Sequence, residues 1–405
     1  MRVLIMNDLG TPTGGAELMT LAISEAMRQR GHETLTLTSD AGNHPDKFSD
    51  VRFFGSTSAF GTLLKVANPF AVRCLRQTLK SFKPDVVHVR MFMTQLSPLI
   101  LRTLRDVPTL YHAVSHEVLC PTVNKILPDG TLCEHSPGLV CRKMRCLSLP
   151  AWGAAMIERD LLMRSINEFD VAVANGTVLA EELKAMGMRD IRVVNNGVQA
   201  LPKRPPLSSP PTITFAGRLV LVKGIDILLK TFQSVQSVVE DAKLQIIGDG
   251  PLMSDLKKMA AELSLRNVSW LGQMKQQQVS ELCANSWIHA VPSRAETFGI
   301  SATEAMMRGS AVVASRVGGL IDQVENGTTG FLCPVDDADA FASVMIPLLQ
   351  DRERCEQMGA AARQRALDLF TIDRCAQKFE QIYQEMSMNS KNQRGNGQCM
   401  SQNHS

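Results

Sequence analysis

A chain of 405 residues has length enough for two or three domains of ordinary size. Hydrophobic residues make up 44% and charged residues 20%, which excludes disorder throughout, and no apolar run reaches the roughly 18 residues of a membrane span, so a water-soluble protein is expected. The 43 Lys and Arg against 40 Asp and Glu leave a formal charge of +3, too close to balance for nucleic acid to be a dominant partner.

The opening MRVLIMNDLG reads as a strand and a loop rather than as a signal peptide, so a cytoplasmic setting is expected. In that setting the ten cysteines are reduced thiols or metal ligands, and the sequons at Asn175, Asn267 and Asn326 carry little meaning. After the first strand (2–6) the pattern predicts a helix over 16–30, stopped by Gly31. Strands follow at 33–38, 85–89, 109–112, 171–174 and 192–195, with helices filling most of the gaps. Residues 199–211, QALPKRPPLSSPP, carry too much Pro and Ser for helix or strand and read as a linker. The alternation then restarts with strands at 212–216, 244–247, 268–271, 288–291 and 311–314.

Short β-branched runs alternating with amphipathic stretches are the mark of βαβ units and parallel sheets. The expected division is a first α/β domain over 1–198, the linker over 199–211, a second α/β domain over 212–370 and a helix over 371–386. The tail, 387–405, has a composition that predicts disorder.

The candidate chemistry lies mainly in the second half. In AETFGISATEAMMRG, Glu296 sits in the loop beyond a strand and Glu304 in the helix that follows. Eight positions of helix span ~12 Å, a separation that suits two ends of one extended ligand rather than two acids on one atom. Two solvated helix acids are the bland alternative. In FAGRLVLVKGIDILL, Arg218 and Lys223 fall between a strand and a helix start, where two cations and free N–H groups can seat a diphosphate. A second strand-to-helix turn follows in IIGDGP, at 248–251.

Together these motifs resemble the two-Rossmann-domain (GT-B type) glycosyltransferases, specifically the retaining family 4 enzymes. The resemblance runs from GTPTGGAELM through KPDVVHV, VVNNGV, GRLVLVKGIDILL, IIGDGP and ETFGISATEAMMRGSAVVASRVGGLIDQVENGTTGFL to the final helix. It implies two Rossmann-like domains facing each other across a cleft, with the C-terminal helix crossing back to the N-domain. By position, Glu296 resembles the acid on the donor sugar and Glu304 the acid on the ribose hydroxyls. Arg218 and Lys223 resemble the diphosphate clamp, helped by the N–H groups of Phe298 and Gly299. Gly14 and Gly15 resemble the N-domain loop that meets the phosphates.

The family carries one histidine near the reacting centre, and LYHAVSHEVLCP offers two. His116 is favoured because it lies in the loop beside an acid, while His112 is expected to be packed at the strand end. Arg90 departs from relatives that carry a second His there, which leaves acceptor contacts copied from them without support. Cys120, Cys133, Cys141 and Cys146 lack the paired short spacing of a zinc ribbon, so a reduced loop and a metal site both stay open. The implied reaction is sugar transfer from a nucleotide-diphospho-sugar to the hydroxyl of a glycan or lipid-linked acceptor, with retention, in bacterial glycan, polysaccharide or glycolipid synthesis. No metal or other cofactor is required in that reading. A non-catalytic nucleotide-sugar-binding regulator and an epimerase of the same fold are the alternatives. The cations Arg73, Arg76, Lys80 and Lys83, spaced three, four and three along one predicted helix, allow peripheral contact with the inner face of a membrane.

Overall fold

The computed structural model describes residues 1–11, 14–41 and 48–401. By internal packing the chain forms two units. Met1–Asn124, His135–Gly197 and Ile372–Ser405 make the first; Lys125–Glu134 and Val198–Thr371 make the second. No helix among the described residues is long and apolar enough to cross a membrane.

In the first unit, β1 (Arg2–Leu9), β2 (Glu33–Ser39), β3 (Val51–Phe53), β4 (Val86–Val89), β5 (Thr109–Ala113), β6 (Val171–Ala174) and β7 (Ile191–Val193) form a parallel sheet ordered β3-β2-β1-β4-β5-β6-β7. A parallel sheet is covered by helices on both faces, which is why an inner strand such as β6, VAVA, is apolar and buried at every position. β1 shows both faces at work. Leu4 and Met6 pack with Leu75, Ile100 and Leu162, whereas Val3 and Ile5 pack with Met19, Ile23, Phe379 and Tyr383, the alternation that a pleated strand imposes.

The second unit repeats the plan. Its strands β8 (Thr212–Ala216), β9 (Lys243–Ile247), β10 (Val268–Gly272), β11 (Ile288–Val291), β12 (Ala311–Ser315) and β13 (Gly330–Cys333) are parallel and ordered β10-β9-β8-β11-β12-β13. Each sheet reverses its strand order once, between β1 and β4 and between β8 and β11. The crevice beyond the carboxyl ends of strands at such a reversal is where open α/β sheets bind ligands.

Two Rossmann-like α/β units were expected and are found. β3 and β13 were not expected: one has three residues and the other opens on glycine, so neither carries a run long enough to register as a strand. The segment 199–211 has no helix or strand, as expected of Pro-rich chain, yet it is fastened along the second unit. Arg204 is buried and donates to the carbonyl of Gly309 at 2.7 Å, and Leu207 is buried with its N–H on Glu356 at 2.9 Å.

The last helix, Ile372–Ser401, belongs to the first unit. Cys375, Ala376, Phe379, Ile382, Tyr383 and Met386 are buried there against β1 and β4. The helix extends past Met386, where its end was expected, to Ser401, so the disorder predicted from 387 onward is not what the structure has over 387–401; residues 402–405 lie outside the described residues. Over the positions whose burial is described, up to Asn389, the last buried one is Met386, and Met388 is 63% exposed. Composition had registered the loss of core packing, which a backbone-bonded helix survives.

Candidate functional site

The second unit gathers its candidate residues at the reversal between β8 and β11. β8 ends at Ala216, and the turn after it carries Arg218, exposed and without an acidic partner among the described residues. That turn rests on the 248–251 turn: the N–H of Leu219 donates to the carbonyl of Asp249 at 3.0 Å, and any Cβ on Gly248 would collide with the Gly217 carbonyl. A short 3-10 turn, Leu221–Lys223, then leads through Gly224 into the Ile225–Gln236 helix.

β11 ends at Val291, and the loop beyond it brings Glu296 to Lys223. Lys223 Nζ lies 2.5 Å from Glu296 Oε2, with the side chains 29% and 13% exposed. The hydroxyl of Ser293 donates to the same oxygen at 3.4 Å. The helix that follows begins at Ile300, after Gly299. Gly299 has φ 98°, left-handed backbone that a residue with a Cβ adopts only under strain. The N–H groups of Phe298 and Gly299 have no acceptor among the described residues, and they stand at the positive end of the helix dipole. Five residues into that helix, Glu304 is half-buried and accepts from Gln276 Nε2 at 2.8 Å. Burial raises its carboxyl above the ordinary value, and the Gln276 bond acts against that rise.

Two sets of residues that sequence reasoning missed fix these loops. Arg294 is buried, bonds both carboxylate oxygens of Asp226 at 2.9 and 2.7 Å, pairs with Asp336 at 2.8 Å and donates to the carbonyl of Leu221 at 2.7 Å. Its own N–H bonds the Val222 carbonyl at 2.8 Å. One guanidinium thus ties the turn that carries Lys223 to the loop that carries Glu296. From the other side, the loop after β12 lies on residues 296–298: the N–H of Gly319 donates to the Glu296 carbonyl at 3.2 Å, and Gln323 Nε2 donates to the Phe298 carbonyl at 2.5 Å. The glycine pair in RVGGL permits that approach, because a Cβ on either Gly318 or Gly319 would strike this backbone. The glycine pair was visible in the sequence; the partner of Arg294, 68 positions away, was not.

In the first unit, Gly14 caps and Gly15 begins the Gly15–Gln29 helix, one turn ahead of the buried Glu17. Gly14 has φ −133°, so its conformation alone does not demand glycine. His112 is fully buried on β5 and its Nδ1 lies 2.9 Å from Arg90 and 3.2 Å from His88 Nε2. Burial, then the neighbouring Arg90, pushes both histidines well below their ordinary pKa, so both are neutral at pH 7. Arg90 is itself fully buried, with its pKa lowered by burial to about 10, and it donates to the Ala16 carbonyl at 3.1 Å. It is an internal strut at the reversal between β1 and β4.

His116 lies in the loop after β5 with its side chain 12% exposed, and its acid neighbour is Glu182, 3.4 Å from Nε2, rather than the adjacent Glu117. Glu117 is buried instead: Oε1 accepts from the Phe92 N–H at 3.3 Å, Oε2 has no partner among the described residues, and burial, then Asp8, drives its pKa well up. Cys141 sits in the Leu139–Lys143 helix and Cys146 just after it. Among the described residues no group of three His, Cys, Asp or Glu is arranged to hold a metal ion.

Comparison with known proteins places this geometry in context. The model for Glycosyltransferase Family 4 matches residues 13–200, and the model for Glycosyl transferases group 1 matches 199–365. The N-acetyl-alpha-D-glucosaminyl L-malate synthase of Bacillus anthracis is 34% identical over 172 residues, 42% of this chain and 44% of that protein's own length, so the match spans under half of that relative. Among solved structures, the sucrose-phosphate synthase of Thermosynechococcus elongatus superposes with a TM-score of 0.72 at 21% identity, covering 95% of this chain and 99% of that one. HepE of Anabaena, solved in complex with UDP-glucose, gives 0.68 at 20% identity, covering 95% and 100%. At these identities the structures report the fold.

Proposed function

The chain belongs to the GT-B glycosyltransferases, and from that premise we propose that it moves a sugar from a nucleotide-diphospho-sugar to an acceptor hydroxyl with retention of anomeric configuration. The observation that carries the reading is the cluster beyond β8 and β11: the Lys223–Glu296 pair, with Arg218 and the N–H groups of Phe298 and Gly299, which have no partner among the described residues. That HepE, a neighbour of the same fold, was solved in complex with UDP-glucose supports a nucleotide-diphospho-sugar as the ligand.

In this reading negative charge builds on the departing diphosphate, and Arg218, Lys223 and the helix N–H groups stabilise it most where it is greatest, at the transition state. Lys223 exchanges part of its bond to Glu296 for a phosphate oxygen, which frees Glu296 to accept from the donor sugar's hydroxyls. Glu304 takes the ribose hydroxyls. From the first unit, Gly14 and Gly15 contribute backbone to the phosphates, and His116 stabilises the sugar as positive charge develops on it. The diphosphate oxygen receives the acceptor's proton, so no separate base is needed on that face. Because protein cations meet the diphosphate charge, turnover needs no divalent metal. The acceptor hydroxyl belongs to a glycan or lipid-linked carrier of polysaccharide or glycolipid synthesis. We assign the reaction to the cytoplasm, in keeping with the buried thiols of Cys283, Cys333, Cys355 and Cys375.

One observation favours a second reading, the epimerase. The first unit does hold carboxyl groups that burial keeps protonated more readily than usual: the buried Glu117, and the partly buried Glu158, raised to about 8. A panel of nucleotide sugars incubated with candidate acceptors separates the readings. Transfer predicts free nucleoside diphosphate together with a new α- or β-glycoside of the donor's own configuration; an epimerised sugar without glycoside, or binding without any turnover, sinks it. Arg218→Ala should lower turnover ~10²-fold or more, while brief EDTA treatment leaves wild type unchanged. Loss of activity in EDTA, restored by Mg²⁺ or Mn²⁺, would overturn the assignment of the leaving-group clamp.

A further inference from the structure

The Pro69–Phe82 helix of the first unit has two unlike faces. Ala71, Leu75 and Thr78 are buried, while Arg73, Arg76 and Lys80 are exposed. The helix contains no Asp or Glu. None of the three cations has an acidic partner among the described residues. They do not simply point to open water: Arg73, Arg76 and Lys80, with Pro69, Val72 and Leu99, line one cavity of about 420 Å³. A three-cation, apolar-based hollow of that size fits a small phosphate-bearing group.

A second observation lies at the start of the same helix. Phe70 is 48% exposed and Phe54 46% exposed, and their rings meet edge to face with centroids 5.2 Å apart. Leu63, on the preceding helix, is 66% exposed. Single exposed apolar residues are ordinary on a protein surface. An aromatic pair beside three unneutralised cations is the combination that an anionic bilayer rewards, since phosphates take the cations and the headgroup layer takes the rings. Free phosphate would use the cations and leave the phenylalanines in water.

We propose that this helix docks the protein on an anionic lipid surface, with lipid phosphates in the hollow lined by Arg73, Arg76 and Lys80 and the Phe54–Phe70 pair entering the headgroup layer. The inference stands apart from the sugar-transfer reading and does not use its residues.

Flotation of the full chain tests it, with vesicles of phosphatidylcholine alone or mixed with phosphatidylglycerol. The protein should float with the mixed vesicles at low salt, less so as salt shortens the Debye length, and not with the neutral ones. Each cation near an anionic surface is worth roughly fivefold in partitioning, so Arg73→Gln, Arg76→Gln and Lys80→Gln together should cost on the order of a hundredfold. Phe70→Ser should weaken binding and keep its salt dependence. Thermal melting checks that each variant folds, and Lys80→Glu alone substitutes if the triple variant does not. No flotation with anionic vesicles, equal flotation with neutral ones, or a triple variant that floats like wild type overturns the proposal. So does saturable binding of inorganic phosphate or RNA by these residues without any vesicle binding.

Discussion

Lys223 and Glu296 hold each other at 2.5 Å while Glu304, eight positions along, accepts from Gln276 and has no cationic partner among the described residues, so the two acids answer differently to removal. Glu296 is part of the charge balance around the clamp, and losing it leaves Lys223 unpaired. Glu304 has its carboxyl raised by burial and keeps hydrogen-bonding capacity to spare for a polar ligand. If it takes the ribose hydroxyls, Glu304→Ala should weaken nucleoside diphosphate and donor alike by ~10-fold to 100-fold, the value of a hydrogen-bonded charged group. Glu296→Ala should depress transfer far more than nucleotide affinity. Calorimetric titration with the free nucleotide alongside turnover measures both; equal nucleotide affinity in wild type and Glu304→Ala removes the ribose role. At this scale the glutamates and the cations were legible because they ride on motifs. Arg294 was not, since its meaning lies in partners at 226 and 336 that only the fold brings together.

Secondary elements were legible where a short run of β-branched and apolar residues is bounded by turn residues, as at Thr212–Ala216, Val171–Ala174 and Ile288–Val291, which the structure reproduces to the residue. Two edge strands escaped for reasons of composition: β3 has Arg52 at its centre, and β13 opens on Gly330. What aims the elements at a ligand is glycine. Gly224, at φ 64°, joins the 3-10 turn of Lys223 to the Ile225–Gln236 helix, and a Cβ there would collide with the Pro292 carbonyl oxygen on the neighbouring loop. Gly224→Val must therefore push apart the two loops that the Arg294–Asp226 pair holds together, and left-handed backbone is strained for a β-branched residue as well. The expected outcome is a folded second unit with donor binding weakened tenfold or more, read by titration with nucleotide sugar. Unaltered affinity in Gly224→Val would show that the spacing of these loops does not govern the site.

The chain as a whole returns to its beginning: residues 372–386 complete a core laid down by β1 and the first helix. Arg30 pairs with Glu380 at 2.8 Å and with Asp373 at 2.7 Å, and His32 with Glu380 at 2.9 Å. These bonds lie toward the surface and fix register more than they stabilise. The larger contribution comes from Phe379, Ile382, Tyr383 and Met386, each fully or nearly buried, at roughly 1.5–3 kcal/mol per side chain withdrawn from water. Tyr383 also places its hydroxyl 2.6 Å from Nδ1 of His88, and a buried histidine deprived of that partner costs a further ~1–3 kcal/mol. Summed, the loss is comparable to the whole stability of an ordinary domain, about 5–15 kcal/mol. A chain ending at Thr371 should therefore fail to keep its first unit folded, while the second unit, whose cores draw nothing from this helix, persists. A chain ending at Asn389 should melt like the full protein, because it keeps every helix residue described as buried, the last being Met386. Limited proteolysis with mass spectrometry distinguishes the cases: rapid cleavage confined to the first unit is expected for the shorter chain alone. Protection of that unit in the chain ending at Thr371 would mean that the returning helix covers its core without being needed to hold it.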